Sequence, residues 1–324
     1  MKRNILITSA GRRVSLVKAF KADLQARIPG AKVFTAEMNP EWSAACRISD
    51  GYHVLPRVTD TDYIQKLLNL CLREDVGLVV PTIDTELLVL AANVDLFASS
   101  GITLAVSDLS LVSRCRDKRN TNALFTEMGI EVPLPIDKHN PTFPLFVKPY
   151  DGSLSKDILL VRNASEWRAS LLENEKLMFM EYLDPDDYQE FTVDAYFDKR
   201  GTLKCLVPRR RIEVRGGEIS KGRTEKWALY DALRNKFSHM PGARSCLTMQ
   251  FFEHRKSGRI VGIEINPRFG GGFPLSYAAG AAYPAFLIEE YLLGKEISFF
   301  EGWIDMRVML RYDAEVIVDA KDFS

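Results

Sequence analysis

The sequence has no excess of charge of either sign, no paired cysteines and no apolar run long enough to span a bilayer. Lys plus Arg and Asp plus Glu number 43 each, so no overall field would gather a polyanion, and nucleic acid is not a favoured partner. The five cysteines, Cys46, Cys71, Cys115, Cys205 and Cys246, stand singly. They lack the spacing of a zinc site and the density of a disulfide scaffold, and buried thiols are the expectation. His53, His139, His239 and His254 are equally dispersed. The longest apolar segment, Tyr277 to Ile288, is interrupted by Pro284 and falls short of the roughly 20 residues a membrane helix needs. Ile5-Leu6-Ile7, followed closely by Gly11-Arg12-Arg13, is too short for a signal peptide. A soluble, cytoplasmic protein with no membrane partner is expected. Internal repeats, low-complexity tracts and any Ser/His/Asp or Cys/His constellation for nucleophilic catalysis are also missing.

What is present is an ordinary globular composition, 46% hydrophobic and 27% charged over 324 residues, enough for two or three domains. The first hundred or so residues alternate short apolar runs with helix-period segments, the pattern of a parallel sheet covered by helices. Candidate strands are Ile5 to Thr8, Val33 to Ala36, Tyr52 to Leu55, Leu78 to Val80 and Ile102 to Ala105. From Asp108 a polar, helix-rich stretch runs to Met128, and Gly129, Pro133 and Pro135 break it. Further strands are expected at Leu145 to Lys148, Ile158 to Val161 and Met178 to Glu181, with a helix capped by Ser165 between the last two. Two hairpins follow, turning at Asp198-Lys199-Arg200-Gly201 and at Lys256-Ser257-Gly258. The second half therefore reads as α+β and largely antiparallel.

The second hairpin carries the chemistry. Symmetry about Ser257 sets Gln250 across from Glu264, and Asn266 follows at the strand period of two, so the three side chains share one face. One carboxylate and two amide oxygens form a hard, underfilled ligand set suited to Mg²⁺, which completes its octahedron with water and phosphate oxygens; a polar, solvent-facing hairpin is the plainer alternative. Pro267, Arg268 and Phe269-Gly270-Gly271-Gly272 come next, a cation able to reach phosphate and a loop whose glycines would let backbone approach a ligand. Upstream, Lys148-Pro149-Tyr150-Asp151-Gly152-Ser153 sets a lysine at a strand end beside a turn able to clamp phosphates. Met180-Glu181-Tyr182-Leu183 offers a carboxylate and backbone groups to a purine edge, with Glu190 near enough for ribose.

The ordered combination of Lys118, Lys148-Pro149, Gly152-Ser153, Glu181-Tyr182-Leu183, Glu190, Gln250 and Glu264-Ile265-Asn266-Pro267-Arg268 resembles the ATP-grasp superfamily. Within it the chain is most similar to single-module relatives of the carbamoyl-phosphate synthetase large subunit. The match covers roughly residues 108 to 300. The resemblance implies an α/β plus α+β architecture. A parallel-sheet pre-ATP-grasp domain (1–110) precedes an ATP-grasp domain (111–324), divided into a lid-like subdomain (111–182) and a metal-site subdomain (183–324) that grip ATP between them.

The same resemblance assigns roles. Lys118 and Lys148, with Gly152, Ser153 and Ser155 of the turn, would contact phosphates. Glu181, Tyr182 and the backbone of Leu183 would bind adenine, Ile263 would pack on its ring, and Glu190 would take the ribose. Gln250, Glu264 and Asn266 would hold Mg²⁺, with Mn²⁺ as substitute; Arg268 would steady the transferred phosphoryl group, and Arg209 and Arg211 would add contacts to anionic substrate or phosphate. Family members often carry more glycines after Ser153, where this chain has Leu154 and Asp157, and the synthetase has two modules where this chain has room for one. Carbamoyl phosphate synthesis is therefore not expected.

The expected reaction is phosphorylation of a small carboxylate by ATP to an acyl phosphate, which an amine or less often a thiol attacks. Arg12 or Arg13, at the carboxyl end of the first strand, is a candidate contact to an anionic group of the substrate, with Arg215-Gly216-Gly217-Glu218 lining the same cleft. A homodimer is the default assembly. Three other readings are a non-catalytic nucleotide-binding protein, a phosphotransferase acting on a hydroxyl, and a nicotinamide-dependent oxidoreductase. Ser9-Ala10-Gly11-Arg12-Arg13-Val14 lacks the G-x-G-x-x-G spacing the last would need.

Overall fold

A computed structural model describes residues 2–152, 157–226 and 228–319. Strands β1 (Asn4–Thr8), β2 (Val33–Glu37), β3 (Gly51–Val54), β4 (Val76–Pro81) and β5 (Thr103–Leu104) pair in parallel in the order β3-β2-β1-β4-β5. Parallel strands are covered on both faces and so read as continuous apolar runs; β4 is buried along its whole length. Helices Val14–Arg27, Tyr63–Arg73 and Asp84–Ala91 supply the cover through buried Val17, Phe20 and Leu24, Tyr63, Leu67 and Leu70, and Leu87 and Leu90. These are residues of the helical stripes visible in the sequence. All five expected strands are present, displaced by a residue or two at their ends.

Helices Leu109–Arg116 and Lys118–Glu127 follow, each capped by an aspartate: Asp108 accepts from Leu111 N and Asp117 from Arg119 N. Gly129 leaves the second helix at a φ of 69°. Strands β6 (Leu145–Pro149), β7 (Leu159–Val161) and β8 (Leu177–Glu181) then form a small antiparallel sheet, β7-β6-β8. The helix expected to be capped by Ser165 is absent there. Ser165 gives its N–H and hydroxyl to Asn163 Oδ1 at 3.0 and 2.6 Å, and only a short 3₁₀ segment, Ala169–Glu173, follows. The neighbouring asparagine captured the donors locally.

The third sheet is antiparallel throughout, in the order β13-β12-β9-β10-β11-β14. Its strands are β9 (Tyr188–Phe197), β10 (Leu203–Arg215), β11 (Glu218–Thr224), β12 (Ser245–His254), β13 (Ile260–Asn266) and β14 (Val308–Leu310). The two expected hairpins are β9-β10 and β12-β13. A further hairpin, β10-β11, turns through Gly216-Gly217, with φ of 58° and 79°. A tight turn with both central residues at positive φ matches the twist of its strands and favours glycine. Among the described residues no helix is long and apolar enough to cross a membrane. All five cysteines are free, four of them buried and Cys115 partly so.

Candidate functional site

A cavity of about 800 Å³ opens where the three sheets meet. Gln250 pairs directly with Glu264 across β12 and β13, while a register shift beside Gln250 sets Phe251 against Gly262. Gln250 Nε2 and Asn266 Nδ2 each donate to Glu264 Oε1 at 2.8 Å. The three side chains therefore converge on one face of the sheet and line the cavity. Turning both amides over would present their oxygens in place of their nitrogens, giving one carboxylate and two neutral oxygens for a hard, hydrated cation. No cluster of three or more His, Cys, Asp or Glu is present among the described residues as a competing metal site.

Three arginines border that trio. Arg268 Nη2 donates to Asp84 Oδ2 at 2.6 Å and Nη1 to Phe269 O at 3.1 Å. Arg211 Nη1 lies 3.0 Å from Glu190 Oε1, and its Nη2 donates to Gly217 O at 3.1 Å. Arg209, expected as a ligand contact, is instead 1% exposed, with Nε and Nη2 committed to the fully buried Asp194 at 2.8 and 2.9 Å. Asp194 also accepts from Thr248 Oγ1 and Ser276 Oγ. A buried cation needs a buried partner, and β9 supplies it from the adjacent strand. Arg209 Nη1, Arg211 Nε and Arg268 Nε are buried without hydrogen-bond partners. Burial drives the Glu190 carboxyl above its usual range, and Glu264 adds to the shift against the opposing charge of Arg211.

Lys148 is buried at the end of β6, and desolvation draws its pKa down to about 8, Lys118 contributing and Glu264 opposing. Lys118 is tied to the same turn, its N–H donating to Tyr150 O at 2.9 Å and its Nζ to Gly152 O. Ser153 and Ser155, expected beside Gly152, lie outside the described residues. On the opposite wall Leu183 packs with Tyr188, Val261, Phe252 and Ile263 in a small apolar cluster, and Tyr182 lines the cavity beside it. The Glu181 carboxylate is not available to a purine: Arg259 holds both its oxygens at 2.7 and 3.0 Å, and Leu134 N donates to it at 2.9 Å. Its backbone N–H is taken as well, donating to Leu134 O at 2.8 Å.

The glycine loop also differs from expectation. A Cβ on Gly270 would meet Thr248, one on Gly271 would overlap Glu218, and one on Gly272 would overlap Arg209 Nη1. These glycines make room for the protein's own side chains. Of the two N-terminal candidates, Arg13 lines the cavity and Arg12 is exposed. Glu37, at the end of β2, accepts from Gly11 N at 2.8 Å, so its carboxylate is bonded to the loop after β1. Sequence reasoning missed Asp84, Asp194, Arg259 and Arg311. Asp84 was findable, because it follows β4 at the carboxyl end of the parallel sheet, the rule that selected Arg13.

Two family descriptions match the chain: PylC-like, N-terminal domain, over residues 5–105, and ATP-grasp in the biosynthetic pathway with Ter operon, over residues 173–308. No curated protein matches it. N5-carboxyaminoimidazole synthetase from Staphylococcus aureus superposes with a TM-score of 0.68 at 18% identity, over 95% of this chain and 82% of that one. The biotin carboxylase domain of Hydrogenobacter thermophilus 2-oxoglutarate carboxylase, in complex with MgADP, ADP and bicarbonate, superposes with 0.67 at 15% identity, over 94% and 72%. Rhizobium etli pyruvate carboxylase gives 0.68 at 12% identity over 91% of this chain, which spans only 29% of that larger one. At such identities the likeness is one of fold. The fold is that of the ATP-grasp proteins, with a parallel-sheet domain ahead of the grasp module.

Proposed function

Proceeding from this ATP-grasp fold, we propose that the chain binds MgATP in the cavity and phosphorylates the carboxylate of a small acid, giving an acyl phosphate for an amine or thiol acceptor. One arrangement supports the reading. Gln250, Glu264 and Asn266 are gathered beside Arg268 and Arg211, and the guanidinium nitrogens Arg268 Nε and Arg211 Nε lie buried with no partner. Donors left so are costly unless an anion satisfies the group that bears them.

In this scheme Lys118 and Lys148 hold the phosphates, Leu183 and Ile263 bed the adenine beside the Glu181 backbone and Tyr182, and Glu190 takes the ribose. Glu264, with amide oxygens of Gln250 and Asn266, would hold Mg²⁺, or Mn²⁺ in its place. When bound, the ion neutralises charge on the phosphate oxygens. Arg268 steadies the phosphoryl group in transit and orients the acid, whose carboxylate oxygen attacks the terminal phosphorus as the bond to the bridging oxygen breaks and ADP leaves. The acceptor then attacks the acyl carbon, losing its proton, and inorganic phosphate departs. A carboxylate is a poor electrophile until its oxygen becomes a leaving group, so the protein contributes position and charge and needs no side-chain nucleophile.

The test is ADP release across a panel of carboxylates, with and without amines, beside calorimetry of MgATP uptake. No ADP from any acid together with no uptake of nucleotide would end the proposal. Release driven by a hydroxyl compound alone would move the chain to phosphotransfer onto alcohols. A homodimer remains part of the proposal, to be read from mass in solution.

A further inference from the structure

The wall of the cavity nearest the parallel sheet is assembled from segments that meet only in the fold. Arg13 comes from the loop after β1, Asp84 from the first turn of the helix after β4, Glu218 from the start of β11 and Arg268 from the segment after β13, while Arg311, from the segment after β14, backs the wall through Glu218. Two ion pairs are already made there. Arg268 Nη2 holds Asp84 Oδ2 at 2.6 Å, and Arg311 Nη1 holds Glu218 Oε2 at 2.7 Å while its Nη2 donates to Gly271 O at 2.6 Å.

Arg13 has no such partner. Its one side-chain hydrogen bond among the described residues is a long one, 3.4 Å, from Nη2 to Thr82 O. Desolvation holds its pKa below the usual arginine range; Arg268 and Arg311 add to that shift, and Glu218 and Asp84 oppose it. The wall therefore carries one cation more than its carboxylates neutralise, and that cation is a fork of donors with few acceptors. Its loop is held fast from below. Thr82 Oγ1 donates to Ser9 O at 2.6 Å, Gly11 N to Glu37 Oε1 at 2.8 Å, and the buried Glu86 accepts from Thr8 Oγ1 at 2.7 Å and from the Ser9 hydroxyl.

We propose that the acid substrate carries a second anionic group, a carboxylate or a phosphate, and that Arg13 seats it while Arg268 orients the reacting carboxylate. The substrate is then a small acid with two anionic groups. A monocarboxylate leaves the Arg13 fork unmet. A zwitterion would have to win Asp84 or Glu218 from arginines that already hold them, and the excess positive charge repels its ammonium. The inference rests on the proposed phosphorylation of an acid in this cavity and adds which class of acid it takes.

The experiment is calorimetry on the full chain with MgADP present, using succinate, glutarate and 3-phosphoglycerate against butyrate and β-alanine, repeated with Arg13→Ala and Arg13→Lys. Succinate, glutarate or 3-phosphoglycerate should bind about tenfold tighter than butyrate or β-alanine, the scale of one charge-assisted contact. Arg13→Ala should erase that margin with ADP affinity and melting temperature unchanged, and Arg13→Lys should keep part of it. The dicarboxylate and phosphorylated arms tell which anion the subsite prefers. Butyrate binding as tightly as succinate, an unaltered margin in Arg13→Ala, or no binding by any of the acids would overturn the subsite. ADP release on the same set separates the two proposals. A two-anion acid held through Arg13 without ADP release keeps the subsite and removes the reaction, whereas equal release with butyrate keeps the reaction and removes the subsite.

Discussion

Arg268 and Asp84 stand 184 positions apart in the chain and meet in one ion pair of 2.6 Å, which joins the segment after the β12-β13 hairpin to the parallel sheet. With Phe269 O taking Nη1 as well, the guanidinium is oriented before any substrate arrives. Asp84→Asn keeps an acceptor but loses the charge, so the expected loss falls on kcat, with KM for ATP unchanged. Misplacing a positioning group by a fraction of a bond length costs up to about 100-fold. An equal rise in both KM values at constant kcat would show that the aspartate serves binding alone.

Glu264 is the one acidic member of its trio and accepts from both neighbouring amides. Glu264→Gln retains shape while withdrawing the charge a divalent cation needs. ADP formation should fall by about 1,000-fold or more, since metal charge stabilisation contributes several kcal/mol, and the far-ultraviolet circular dichroism should be unchanged. Near-normal turnover in this variant would remove the metal assignment.

Arg209 belongs to a buried network, and its removal should be read in stability. Asp194→Ala would leave the Arg209 guanidinium buried without a counter-ion, and breaking one side of a buried ion pair costs about 3–5 kcal/mol. Urea denaturation measures that loss. Gly272→Ala should act through the same residue, because the added methyl would overlap Arg209 Nη1, which Asp194 prevents from moving aside. Gly271→Ala meets the end of the Glu218 side chain, which is held by the partly exposed Arg311 and not by a buried network, and should be milder.

How much of this was legible follows from how local each signal is. The Gln250–Glu264 pairing expected from symmetry about Ser257 is present because the irregularity between Gln250 and Phe251 offsets a one-residue difference nearer the turn, where Phe251 faces Gly262 and Phe252 faces Val261, a compensation the turn residues do not announce; the parallel sheet could be read because alternating helix and strand periods leave few alternatives. Arg209 looked identical in sequence to Arg211, and only the register of β9 against β10, with Arg209 opposite Thr192 and Asp194 close by on the same strand, decides which of them is sealed against Asp194 and which meets Glu190. Arg259 taking Glu181, and Arg311 closing on Glu218, join residues 78 and 93 positions apart. No periodicity carries such information.

Lys148 supplies the remaining expectation, a pH effect with a definite sign. Its pKa lies at about 8, below the ordinary lysine value, chiefly because it is desolvated. Below that pH the native protein keeps a buried ammonium at a cost. Between about 8 and the ordinary lysine value the unfolded chain holds a proton that the native one has lost, so this residue's contribution to stability rises with pH across that window. Nucleotide reverses the preference, because phosphate oxygens beside the amine favour its charged form. MgATP binding at pH 8.5 should therefore take up protons, close to one per site at most, and apparent affinity should fall as pH rises through 8. Calorimetry in two buffers of different ionisation enthalpy measures the uptake directly. Lys148→Met should abolish it and weaken ATP; uptake that persists in that variant would assign the proton to another group, leaving Lys148 a packing residue at the end of β6.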